Sequence, residues 1–173
     1  MALVAISLAT ACGPQDPAST DQKRLGTDSA ALGPVCNSVR VGHLVGNSSY
    51  SRMTPGACLQ SPQARFFLMQ QEDGNLVEYD RGTGRALWAS NTYNPPIVGV
   101  LDYMITVMQD DANLVQYFRS QSGTVPRWAS NTGGHLNIPK WLEVQDDGNA
   151  VIYDQDDRGQ TFALWSTRTG RLY

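Results

Sequence analysis

A nine-residue pattern, Gln-x-Asp-x-Asn-x-Val-x-Tyr, occurs three times in this chain and constrains its fold more than any other feature. The first copy carries Gln71, Asp73, Asn75, Val77 and Tyr79. The second carries Gln109, Asp111, Asn113, Val115 and Tyr117, and the third Gln145, Asp147, Asn149, Val151 and Tyr153. Successive copies start 38 and 36 residues apart. Each is followed by a tryptophan echo: Trp88-Ala89-Ser90, Trp128-Ala129-Ser130 and Trp165-Ser166-Thr167. A fixed period of this size marks a repeat architecture, in which one unit cannot close a core alone.

Each repeat follows one plan. An apolar strand enters (Phe66–Met69, Ile105–Met108, Leu142–Val144), and a polar turn follows, centred on Asp73-Gly74, Asp111-Ala112 and Asp147-Gly148. A second strand leaves (Asn75–Asp80, Asn113–Phe118, Asn149–Asp154), and a third carries the tryptophan (Ala86–Ser90, Arg127–Ser130, Ala163–Ser166). Gly and Asn tolerate positive φ and suit a tight hairpin. Ala112 at the glycine position argues that this φ need not be left-handed. Further short strands are expected at Arg40–Val45 and Ala57–Gln60.

Period-two alternation puts Asn75, Val77 and Tyr79 on one face of the second strand and Leu76 and Glu78 on the other, with the same division in the other copies. The three tryptophans are expected to meet near a common axis, burying about 150–250 Å² each. Gln70 reads as one extra residue ahead of the first signature, so a β-bulge is expected near Met69–Gln71. The reading is all-β: a three-sided domain with internal pseudo-threefold symmetry.

These repeats resemble the bulb-type mannose-binding lectins, the snowdrop-agglutinin-like family, whose signature is this nine-residue pattern followed by Trp-Ala-Ser/Thr-Asn-Thr. Trp88–Thr92 and Trp128–Thr132 reproduce that tail, and the third copy departs from it with Trp165-Ser-Thr-Arg-Thr169. The resemblance covers roughly residues 40–170. It implies the β-prism II fold, twelve strands in three four-stranded sheets, and metal-independent binding of mannose-type glycans. It also implies roles. Asp and Asn would bond the axial 2-hydroxyl of mannose, Gln the 3-hydroxyl and Tyr the 4-hydroxyl, with Val against the ring carbons, at all fifteen signature residues.

The chemistry is coherent on its own terms. Carboxylate accepts, while amide and phenol both donate and accept, which suits sugar hydroxyls. A site that bonds one hydroxyl rejects its epimer by leaving its own polar groups unpaired. Glu78 and Gln116 stand where the family often has an aliphatic residue, so the first two sheets are expected to be more solvated there or to face a partner. The bland alternative is that turn Asp and Asn serve only as caps. That accounts for Asp and Asn but not for Gln and Tyr in every copy. A structural or adhesion module of the cell envelope, or the targeting lectin of an antibacterial toxin, are the other readings carried forward.

An enzyme is not expected. Adjacent exposed acids in the turns do not form an acid/base pair, and no nucleophile triad or phosphate loop appears. No cofactor or metal is expected either: His43 and His135 read as loop or surface residues, and Asp154–Gly159 reads as an exposed acidic turn with Arg158 at a would-be ligand position. A net charge of −3 without a basic patch argues against nucleic acid.

Residues 1–12 are small and apolar and read as the leader of an exported protein, without its usual basic head. Ala9-Thr10-Ala11-Cys12 resembles a bacterial lipoprotein processing site, which would lipidate Cys12 and tether the protein to a membrane, the outer membrane in the envelope reading. An ordinary signal peptide with an incidental Cys12 is the other reading. Residues 13–34 have almost no large apolar side chains, and a flexible tether is drawn over 13–37 ahead of a lectin-like domain at 38–173. Cys36 and Cys58 then remain as a pair, favouring a disulfide over two buried thiols. Asn47-Ser48-Ser49 spells a glycosylation sequon, and the ending Thr169–Tyr173 is available to pair in cis or across a homodimer.

Overall fold

The computed structural model describes residues 34–46, 51–93, 102–135 and 139–170. The leader, Cys12, most of the tether, the Asn47 sequon and the last three residues lie outside them. In chain order the strands are β1 (Ser38–Val41), β2 (His43–Val45), β3 (Arg52–Met53), β4 (Ala57–Gln60), β5 (Phe66–Gln70), β6 (Leu76–Asp80) and β7 (Arg85–Ala89). They continue as β8 (Tyr103–Met108), β9 (Leu114–Ser120), β10 (Gly123–Ala129), β11 (Lys140–Val144), β12 (Ala150–Gln155) and β13 (Thr161–Ser166).

Three sheets result, ordered β1-β4-β5-β6-β7, β10-β9-β8-β3 and β13-β12-β11-β2. Each repeat supplies three antiparallel strands of one sheet. The fourth comes from the short run ahead of the repeats: β4 to the first, β3 to the second, β2 to the third. Leu59, Met53 and Leu44, one from each of those strands, are 0–3% exposed and pack in one core with Phe66, Leu68, Leu76, Met108, Leu114, Leu142 and Ile152. That shared burial closes the prism, because each fully buried aliphatic side chain contributes about 1.5–3 kcal/mol.

The expected single strand Arg40–Val45 is two strands. Gly42, at φ 99°, turns the chain so that β1 joins the first sheet and β2 the third. The first sheet therefore has five strands instead of the expected four, β1 pairing parallel with β4 from Ser38↔Ala57 to Val41↔Gln60. The Cys36–Cys58 disulfide forms, with Cα atoms 5.7 Å apart, and Asn37 N donates to Gly56 O at 2.8 Å. The bridge and this bond tie Cys36 and Asn37 to the first sheet.

The tryptophan trio forms as expected. Ring centroids of Trp88, Trp128 and Trp165 are 5.5, 5.5 and 5.7 Å apart, each pair edge-to-face. A bulge precedes each ring. Opposite the steps Glu78/Tyr79, Gln116/Tyr117 and Ile152/Tyr153, the third strand carries one additional residue, Leu87, Arg127 or Leu164. The bulge near Met69–Gln71 does not exist, since Phe66–Gln70 pair without interruption with Asp80–Leu76. Gln70 is a substitution, not an insertion. It sits opposite Leu76 as Met108 sits opposite Leu114 and Val144 opposite Ala150. Its buried amide is satisfied because Thr106 Oγ1 and Gln116 Nε2 donate to its Oε1 at 2.7 and 3.0 Å.

Glu78 and Gln116 are also not solvated, since both are 0% exposed. They fill the seams between sheets. Thr92 Oγ1, from the first repeat, lies 2.9 Å from Gln116 Oε1 in the second, and Thr169 Oγ1, from the third, lies 2.8 Å from Glu78 Oε2 in the first. The polar side chains thus meet polar tails of neighbouring repeats, and Ile152 takes the corresponding place in the third sheet.

The turn position occupied by Ala112 is left-handed after all, at φ 74°, matching Gly74 at 92° and Gly148 at 85°. The closing Gln109–Ala112 hydrogen bond and the buried Ala112 methyl hold it there against the steric cost of a Cβ. The tail position after Ser90, Ser130 and Thr167 is left-handed too: Asn91 and Asn131 at 59° and Arg168 at 57°. Asn adopts this region readily and Arg does not, so the third tail carries backbone strain that the first two avoid.

Candidate functional site

The three signatures build three copies of one polar patch on the outer faces of the sheets. Within each, Gln donates to the phenol oxygen of Tyr across the strand: Gln71 to Tyr79 at 2.7 Å, Gln109 to Tyr117 at 2.8 Å, Gln145 to Tyr153 at 2.9 Å. With its oxygen accepting, the phenol keeps its own proton to donate outward. Burial pushes the Tyr79 phenol above its ordinary value against the opposing bond from Gln71, so it stays neutral at physiological pH.

Asp and Asn form the other half. Asp73, Asp111 and Asp147 each accept, through Oδ1, the backbone N–H of the signature Asn at 2.9, 3.0 and 2.9 Å. These bonds lock the turn and fix the carboxylate. The Asn side chains are oriented from behind: Ser90 Oγ, Ser130 Oγ and Thr167 Oγ1 donate to Asn75, Asn113 and Asn149 Oδ1 at 3.1, 3.2 and 3.2 Å. With each Oδ1 engaged, the amide N–H groups are the outward-facing function. An acceptor carboxylate beside a donor amide matches one hydroxyl that must donate and accept at once. Val77, Val115 and Val151 lie at the floor, 3–4% exposed.

In each of the three copies the five predicted residues therefore lie together in one patch, half-buried or exposed apart from the valines. The serine and threonine supports were visible in the repeated tail, but their job was not. Two glycines were missed. A Cβ at Gly133 would come within 2.8 Å of Asp111 Oδ2, and one at Gly170 within 3.0 Å of Asp147 Oδ2. Neither has positive φ, so glycine is favoured there by close approach to the carboxylate, which a Cβ would push out of place. The corresponding residue after Thr92 is Tyr93, half exposed, so the first patch has a phenol where the others have none.

The patches differ further along the incoming strand. Phe67 and Met69, opposite Tyr79 and Val77, are buried with the Cys36–Cys58 bridge, and the Phe67 ring stacks on Tyr79 at 5.4 Å. The second and third patches instead open beside Gln109 and Gln145 into cavities of about 420 and 270 Å³. His43 and His135 are part-exposed as expected, yet each has a carboxylate partner, Glu143 at 2.7 Å and Asp154 at 3.1 Å. Among the described residues no cluster of three or more His, Cys, Asp or Glu side chains is arranged to hold a metal ion. Asp156 Oδ1 instead caps its own turn, accepting from Arg158 N and Gln160 N.

No protein-family model matches the chain. The mannose-specific lectin of Aloe arborescens is 36% identical to it over 105 residues, spanning 61% of this chain and 80% of the Aloe protein. The chain belongs to the bulb-type lectin family. The solved mannose-specific agglutinin of snowdrop (Galanthus nivalis), bound to methyl-α-D-mannoside, superposes on this bulb-type lectin with a TM-score of 0.51 at 33% identity, over 75% of this chain and 97% of the agglutinin. A garlic (Allium sativum) lectin gives 0.52 at 32% identity, over 66% and 94%. The three-sheet arrangement is the β-prism II fold of these structures, and the relatives are lectins, not enzymes.

Proposed function

We infer that this bulb-type lectin binds mannose or mannose-containing glycans, without a metal ion, at up to three shallow sites. One observation carries the reading: the same donor and acceptor set, Gln–Tyr across the strand and Asp–Asn at the turn, recurs three times in reachable positions with matching bond lengths. The mannose specificity named for the Aloe and snowdrop relatives supports the choice of sugar. Each hydrogen bond contributes about 0.5–1.5 kcal/mol net, so single sites should bind on the order of millimolar, and useful strength comes from engaging several sites together.

Replacing Asp73, Asp111 and Asp147 by Ala removes the acceptor and loosens the turn in each site. The single variants are expected to lower mannose-glycan binding stepwise on a glycan array, and the triple variant to abolish it. Normal binding by the triple variant would overturn the site assignment. The proposal extends to placement. The Ala9–Cys12 run supports export with lipid on Cys12, which would gather many copies on one membrane surface. Mass spectrometry of the mature N-terminus is expected to find a lipidated Cys12, and an unmodified cysteine or cleavage elsewhere excludes the anchor.

A further inference from the structure

The third site differs from the others at two outward positions of the strand that precedes its signature. Opposite the signature Tyr stand Phe67, Ile105 and Trp141, and opposite the signature Val stand Met69, Val107 and Glu143. Two sites thus have an apolar pair where the third has an indole and a carboxylate. Glu143 Oε2 accepts from Trp141 Nε1 at 3.0 Å and meets His43 Nε2 at 2.7 Å, while Oε1 accepts from Gln145 Nε2 at 3.0 Å. The rings form a continuous row, His43 5.6 Å from Trp141 and Trp141 5.6 Å from Tyr153.

Of this group, His43, Glu143 and Gln145 line a cavity of about 270 Å³, together with Pro62 and Asp146. Gln63 N donates to Asp146 Oδ1 at 2.8 Å and ties the segment beside Pro62 to the turn. Gln145 belongs both to the signature and to the cavity, so the two are contiguous. A carboxylate offers about four acceptor positions, and Glu143 has three in use, leaving one for an incoming hydroxyl. Fixed by three partners, it is held in place before any ligand arrives. At about 270 Å³ the cavity is just below the ~300–1,000 Å³ typical of small-ligand pockets, room for one further sugar ring and not a chain. The matching cavity at the second site has Val107 where Glu143 stands and offers no side-chain acceptor from that strand.

We propose that this cavity is a subsite for the second residue of a mannose-containing disaccharide or longer glycan, and that Glu143 makes the third site prefer the linked sugar over the single one. The inference rests on the mannose reading above. In bound form a hydroxyl of the second ring donates to Glu143, and the ring's C–H face lies along Pro62 and His43. At the second site only the terminal ring is held.

Trp141 is the one tryptophan outside the core trio, so its indole N–H resonance in the ¹⁵N-labelled full chain reports on the third site alone. Titrations with methyl α-mannoside and with an α-linked mannobiose give the ratio of the two affinities there. The wild type is expected to favour the disaccharide by about tenfold, the gain from one or two additional hydrogen bonds. In Glu143→Val the ratio should fall to about one. Should that variant lose the dispersed indole signals of the trio, and hence its fold, His43→Ala on the exposed edge strand carries the same expectation in weaker form. A ratio near one in the wild type, with the monosaccharide still shifting Trp141, overturns the subsite and leaves the mannose reading standing. If neither sugar shifts any resonance, the mannose reading and the subsite fall together.

Discussion

Between pH 4.5 and pH 7 the protein is expected to lose about 3 kcal/mol of folding stability through Glu78 alone. Burial in the seam between the first and third sheets pushes this carboxyl from 4.5 up to about 7; bonds from Thr169 and Thr167 oppose the shift, and the nearby Asp147 charge adds to it. The sign follows from proton counting. In the pH window between the two values the folded chain holds a proton that the unfolded chain has released. The contribution is therefore full below 4.5, declines as pH rises, and is gone above about 7.

The geometry explains why the proton is welcome. Thr169 Oγ1 faces two acceptors, Glu78 Oε2 and Gly148 O, with one proton to give, and Glu78 Oε1 has no partner within the described structure. Protonating Glu78 turns one acceptor into a donor. The second sheet shows the neutral solution: Gln116 accepts through Oε1 from Thr92 and donates through Nε2 to Gln70 Oε1 and Gly74 O. Glu78→Gln should therefore abolish the slope and exceed the wild type by about 3 kcal/mol at pH 8. Urea unfolding at half-unit pH steps measures both. A wild type that is flat over this range, or a slope that persists in the variant, refutes the assignment.

Truncating one ring of the trio should cost a comparable amount. Trp128→Ala removes a partly buried aromatic, where full burial would set the loss at about 3–5 kcal/mol, together with two edge-to-face pairs of about 0.5–1.5 kcal/mol each. The lower half of that range is expected, because an open cavity of about 530 Å³ lies against the trio and the rings are only partly buried. A domain of this size has about 5–15 kcal/mol in total, so a large part of its stability rides on one ring. The pseudo-threefold arrangement predicts similar losses for Trp88→Ala and Trp165→Ala, all measurable as a fall in the urea midpoint. A change below about 1 kcal/mol in any of the three would show that the rings do not share the load.

Much of this was written in the chain before folding. Three complete signatures at near-equal spacing required three like-built sheets. Alternation along each second strand put Asn, Val and Tyr on one face, the family resemblance added Gln and Asp, and the structure gathers all five in each copy. Strand periodicity reports which way a side chain points, and it did so correctly for Leu76, Glu78 and Gln116. It cannot report what will cover that side chain. Glu78 and Gln116 looked too polar for an interior because their partners, Thr169 and Thr92, lie 91 and 24 residues away. Gln70 looked like an insertion because the two amides and the threonine that satisfy one another come from different sheets.

The destinations of β2, β3 and β4 had the same origin. Strands of two to four residues carry too little pattern to name a partner, and only the closing of a common core assigned one to each sheet. The difference among the three patches was hidden likewise. Residue by residue the signatures are alike, and Glu143, His43 and Pro62 acquire meaning only when the third sheet sets them around one cavity.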